Sequence, residues 1–218
     1  MENKEPNQQL TNDVQEGASL LARAKANSKL IVALSIFICA VLIGIMVWFF
    51  VAQSGSRKAD EAIARADMAT NDSVALVLYK QAAEHSYKSG NRAKIEVGMR
   101  LYQDGKYQEA LEYLEDASAD DNIVASGIMT LTGDCYVNLK QYPEALKAYD
   151  KAIKEADENP SIVPLILMKK AAIYREEKNY DGEYEALQQI VDKYPAFTQS
   201  TQTDIRKYYE RAKAAAGK

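Results

Sequence analysis

The sequence predicts an all-α protein: an N-terminal transmembrane helix, then an α-solenoid of about three to four stacked helix pairs and a C-terminal capping helix. Two observations carry that reading. The stretch from Gly98 to Ala152 repeats itself, and the stretch from Leu30 to Ala52 contains no charged residue. Composition agrees, since 5 Pro and 10 Gly in 218 residues leave little room for low-complexity sequence, and 47% of the side chains are hydrophobic.

Inside the repeated stretch, Gly98, Tyr107, Glu109-Ala110-Leu111 and Ala117 recur as Gly133, Tyr142, Glu144-Ala145-Leu146 and Ala152. The interval is about 35 residues, the period of a stacked two-helix unit. Small residues are what such a unit needs, because antiparallel helices approach closely only where one lacks a bulky side chain. Gly98 with Ala110, and Gly133 with Ala145, are therefore expected to mark the crossings. These residues resemble the tetratricopeptide repeat, whose pattern runs through a large residue, Leu, Gly, Tyr, then Ala, Phe, Ala and Pro. The second copy supplies Met129, Gly133, Tyr136, Ala145, Tyr149 and Ala152, and the first a looser Val97, Gly98, Leu101, Ala110, Leu114 and Ala117. A degenerate unit precedes them with Ala75, Tyr79 and Ala82. A third clear unit follows with Tyr174, Tyr180, Leu187 and Pro195, after a short insertion around Asn159-Pro160-Ser161. Glu183 departs from the pattern, standing where the second helix calls for a small residue.

Taken in order, residues 1–29 form a polar tail with balanced charges, expected to be disordered because it cannot bury enough apolar area to offset the entropy of ordering. Residues 30–52 are expected to cross the membrane, since a helix of about 22 residues covers roughly 33 Å of hydrocarbon. Trp48, Phe49 and Phe50 sit at its far end, where aromatic rings favour the interface. A cleaved signal peptide would have a shorter apolar region and a small-x-small site, whereas Phe50-Val51-Ala52 places a bulky residue there. Cys39, preceded by Ile38 and followed by more apolar sequence, does not fit a lipoprotein cysteine. Arg23, Lys25 and Lys29 before the span are matched by Arg57, Lys58 and Arg65 after it, so the positive-inside rule gives only a lean toward a cytoplasmic amino terminus. Ala40 and Gly44, one turn apart, offer a face through which two copies could form a homodimer.

Residues 53–90 are read as juxtamembrane helices over 57–69 and 73–87 that contain the degenerate repeat. Residues 91–195 are read as the repeats themselves, with helices at 91–104 and 107–118, 123–139 and 143–157, and 162–177 and 180–193. Gly105, Pro143 and Asn159-Pro160-Ser161 supply the turn and cap chemistry. Residues 196–218 are read as a capping helix over 201–215 and a tail, with Ile205, Tyr208, Tyr209 and Ala212 at helical spacing.

Candidate chemistry is sparse. The formal charge of -4 falls wholly on the part after residue 29, and no basic patch interleaved with aromatics accompanies it, so nucleic acid is not expected as a partner. His85, the only histidine, lacks ligand partners at useful spacing and reads as a surface residue. Cys135 has only Cys39 as a possible partner, and Cys39 lies in the apolar span, so no disulfide or thiolate metal site follows. No phosphate-cradling loop or nucleophile elbow is present, and neither a cofactor nor catalysis is expected. All 14 tyrosines follow the span and read mainly as packing. What remains is a surface. In a tetratricopeptide array the first helices line a groove, which the register assigns to Ile95, Met99 and Tyr102, to Thr130, Asp134 and Val137, and to Met168, Ala172 and Arg175. This set lacks the Lys and Asn of repeats that clamp a carboxy-terminal carboxylate. Its Met and Tyr side chains suit extended or partly unfolded polypeptide segments, because a flexible thioether adapts to varied shapes.

A short polar tail, one anchor, several such repeats and a closing helix together resemble the ancillary Sec-translocon subunit family of bacterial envelopes. The resemblance implies a single-pass protein of the bacterial inner membrane, touching lipid through residues 30–52, with a periplasmic repeat domain assisting exported proteins at the translocon. An envelope assembly or division scaffold, and a docking receptor facing the cytoplasm, are the competing readings.

Overall fold

The computed structural model describes residues 28–85, 88–200 and 204–218; residues 1–27 of the tail expected to be disordered, with Arg23 and Lys25, lie outside them, whereas Ser28 and Lys29 of that tail begin the first helix. The chain divides into two units, Met1–Ser54 and Gly55–Lys218. Among the described residues the secondary structure is helical throughout.

The first unit holds most of helix α1, Ser28–Asp67. Val32–Val51 within it has a mean hydropathy of 2.8, and none of that stretch is buried against protein. Phe37, Met46, Trp48 and Phe50 all stand exposed, which in water would be a large unfavourable apolar surface.

The second unit begins with the last turns of α1. Ala59, Ile63 and Ala66 lie at helical spacing and are buried in one core cluster with Ala75, Tyr79 and Ala82 of α2, Asp72–Ala83. These are the residues of the degenerate repeat. Asn71 caps α2, its side chain accepting from the Ser73 and Val74 amides at 2.8 and 3.3 Å. The clearer units are α3, Lys88–Gln103, with α4, Tyr107–Leu114; α5, Asn122–Asn138, with α6, Tyr142–Glu155; and α7, Val163–Glu176, with α8, Tyr180–Lys193. A short α9, Pro195–Ser200, and α10, Ile205–Ala215, close the chain.

The turn inside each clear pair is the same. Gly105, Lys140 and Lys178 adopt left-handed φ of 75°, 60° and 58°. The amides of Lys106, Gln141 and Asn179 reach back to the carbonyls of Leu101, Tyr136 and Tyr174 at 2.9, 2.9 and 2.8 Å. This paired bonding satisfies the last carbonyls of each first helix. Glycine fills the left-handed position only in the first pair; in the other two a lysine accepts a conformation that disfavours a Cβ.

Gly98 and Gly133 do mark the crossings, each lying against a bulky residue of the second helix of its pair. A Cβ on Gly98 would lie 2.6 Å from Leu114, and one on Gly133 would lie 2.4 Å from Tyr149. The bulky residue one turn beyond each alanine lies over the glycine, while the alanines are fully buried beside it. In the third pair Gly182 takes that role against Tyr174, at 2.8 Å. Glu183, the departure from the repeat pattern, is buried in the same unit. It is 2% exposed, and its carboxylate accepts from Arg211 of α10 at 2.5 Å.

Other expectations shift at their ends. Helix α4 stops at Leu114 rather than 118 and α2 at Ala83 rather than 87, each giving way to a turn. Pro195 starts α9 instead of only ending α8, since its fixed φ suits a first helical position. His85 is half-buried just past the end of α2 rather than a free surface residue. Helix α10 seals the last apolar face, burying Ile205 and Ala212 in one cluster with Leu187 and Ile190 of α8.

Candidate functional site: a groove on the first helices

Helices α3, α5 and α7 bring Tyr102, Asp134, Val137, Ala172 and Arg175 to one cavity of about 440 Å³. Their spacing explains the convergence: each first helix presents one residue per turn on the same side, and stacking of the units aligns those rows. Asn138 of α5, Tyr142 and Tyr149 of α6, and Lys169, Ile173 and Glu176 of α7 complete the wall. Met168 lies with Ala172 and Arg175 in a second cavity of about 200 Å³, closed by Leu187 of α8 and by Ile205 and Tyr208 of α10. Ile95 lies in a third, of about 350 Å³, with Glu96 and Val124. Met99 and Thr130 line none of these three. Met99 is 40% exposed, and the Thr130 hydroxyl donates to the Ser126 carbonyl of its own helix at 2.8 Å. Seven of the nine expected groove residues thus border cavities, and five share one.

Asp134 is the electrostatic centre. Its carboxylate accepts from the Tyr149 hydroxyl at 2.6 Å and from Lys169 Nζ at 2.8 and 2.9 Å. One side chain of the middle unit is thereby tied to both its own second helix and the next unit. Burial, then the bond to Asp134, holds the Tyr149 phenol far above its usual pKa; burial, then the Asp134 charge, does the same for Tyr102. Both phenols remain neutral hydrogen-bonding groups at any physiological pH. The Arg175 side chain makes no hydrogen bond or ion pair among the described residues, although it borders both the larger and the smaller cavity.

Sequence reasoning missed Lys169, Tyr142 and Tyr208. A lysine on the first helix of the next pair was a usable sign, because equivalent turns of adjacent first helices are neighbours. Tyr208 offered none, since where α10 docks is a tertiary matter.

Among the described residues no group of three or more His, Cys, Asp and Glu side chains is arranged to hold a metal ion. Cys135 is fully buried, and burial, then the Asp134 charge, raises its thiol pKa to about 12. It packs as a small apolar residue.

Two family profiles described as tetratricopeptide repeat match the chain, one over residues 101–166 and one over 166–196. Residues 101–196 are thus similar to tetratricopeptide repeats. No curated protein sequence matches the chain. Among solved structures, that titled "Crystal structure of MamA protein" is similar over 76% of this chain and 82% of its own, with a TM-score of 0.52 and 15% identity. At that identity the likeness concerns the fold alone. Stacked repeats of this kind present extended surfaces for binding other proteins.

Proposed function

We propose that the chain is a single-pass membrane adaptor whose repeat groove holds segments of other polypeptides, and that it assists exported proteins beside the Sec translocon of a bacterial inner membrane. The observation that carries the proposal is the pairing of two features: an exposed apolar helix at Val32–Val51 and a repeat groove whose cavities mix Met, Tyr and charged side chains. An apolar face of that length finds a stable environment in lipid. The groove supplies adaptable contacts without a catalytic constellation. In this reading the amino terminus is cytoplasmic and the repeats are periplasmic.

In-cell photo-crosslinking from position Met99, followed by mass spectrometry of the adducts, tests it. Met99 is accessible and sits on the expected groove face. Translocon subunits together with several unrelated exported chains are expected. One dominant envelope or division protein would replace the reading with a dedicated scaffold. Cytoplasmic partners would invert the topology.

A further inference from the structure

The described cationic side chains between residues 57 and 100 fall into two groups. Arg65, Lys80, Arg92, Lys94 and Arg100 each form an ion pair with a carboxylate. Arg57 and Lys58 are exposed and make no hydrogen bond or ion pair among the described residues. They are also the two nearest the apolar stretch that ends at Val51.

Helical spacing offers this pair partners that it does not take. Glu61 stands four residues after Arg57 and three after Lys58, within reach on a helix surface, yet it pairs with Arg65 at 2.6 Å. Asp60 accepts from the Ser89 hydroxyl instead. The buried stripe of this part of α1 is Ala59, Ile63 and Ala66. At about 100° per residue, Arg57 and Lys58 fall on the opposite half of the helix. Water alone can solvate an exposed cation, but solvation does not explain why only the two cations next to the apolar stretch lack a carboxylate.

Distance along α1 supplies a reason. Arg57 is six residues past Val51, an axial rise of about 9 Å. The headgroup layer of a bilayer extends roughly 5–8 Å beyond its hydrocarbon, and Arg and Lys stems are long enough to carry their charge back to it. The abundant anion at that depth is the lipid phosphate. We propose that Arg57 and Lys58 form a site for the phosphate of an anionic phospholipid. The guanidinium donates to phosphate oxygens through its planar fork, and the ammonium beside it adds a compact charge. The contact ties α1 to the headgroup layer where the helix leaves the hydrocarbon. Both leaflets carry phosphate, so the inference holds for either topology. It rests on the membrane reading above and names the lipid group that α1 takes.

Lysine footprinting of the full-length protein in lipid nanodiscs tests it. An uncharged acylating reagent modifies exposed amines, and peptide mass spectrometry gives the rate at Lys58 relative to Lys147 and Lys151, two exposed lysines of α6. In discs of phosphatidylglycerol, Lys58 is expected to react about fivefold more slowly than in discs of a diglucosyl lipid with the same acyl chains. Arg57→Gln, at an exposed position, should raise the Lys58 rate in phosphatidylglycerol roughly twofold by weakening the shared site. Equal Lys58 rates in the two lipids would overturn the inference and leave the anchor intact. Protection unchanged by Arg57→Gln would also overturn it, since the general surface potential would then account for the slowing. Inorganic phosphate that protects Lys58 equally well in glycolipid discs would replace the lipid with a soluble anion. A protein that enters neither kind of disc would overturn this inference and the membrane reading together.

Discussion

At the scale of single residues, two glycines of α5 have opposite surroundings. A Cβ on Gly133 would meet the ring of Tyr149 at 2.4 Å, and that ring is 1% exposed with its hydroxyl held by Asp134. A Cβ on Gly127 would meet nothing within 4 Å. Gly133→Ala is therefore expected to destabilise the protein by about 1–3 kcal/mol through overpacking. Gly127→Ala should stabilise it by about 0.5–1 kcal/mol, because alanine loses less backbone freedom in a helix. Chemical denaturation of the two variants checks both signs. Cys135 gives a pH prediction. Its folded thiol titrates near 12 against an unfolded value of 9.0, so the unfolded chain loses its proton first. The stability tied to this group is intact below pH 9 and declines as pH rises from 9 toward 12. Denaturation at several alkaline pH values should show a shallower decline for Cys135→Ala than for the wild type; equal slopes would refute the assignment.

At the scale of elements, α10 is held to the last repeat by apolar burial and by one ion pair. Arg211 is half-exposed, whereas its partner Glu183 is 2% exposed. Tyr184 and Tyr209 stack at 5.4 Å beside the pair. Arg211→Met leaves a buried carboxylate without its cation and should cost about 2 kcal/mol. Adding Glu183→Ala, which restores a small residue at that repeat position, should recover most of the loss. A double-mutant cycle by urea denaturation measures the coupling, and strictly additive losses would show that α10 docks without the pair. Helices themselves were legible in the sequence, because glycine, tyrosine and alanine recur at fixed spacing. Their ends were less so. The stop of α4 at Leu114 and the start of α9 at Pro195 depend on local turn geometry, to which the repeat pattern is indifferent.

At the scale of the whole molecule, the proposed anchor gives the plainest expectation. The protein should stay in the pellet when membranes are extracted with alkaline carbonate, and its mature amino terminus should precede residue 30. Release into the supernatant, or a mature terminus after Ala52, would mean that Val32–Val51 is a removed signal. Periodicity by itself determined that the fold is all-α and that it stacks helix pairs with Gly98 and Gly133 at their crossings. These follow from spacing along the chain, which needs no knowledge of neighbours. Only the tertiary structure decided what each of those residues meets. It set Leu114 and Tyr149 over the glycines, joined Asp134 to Lys169 across units, neutralised Glu183 with Arg211, and left Arg175 unpaired between two cavities. Such pairings join residues distant in sequence, and the side-chain directions that make them are set by how the units pack, not by the period that builds each one.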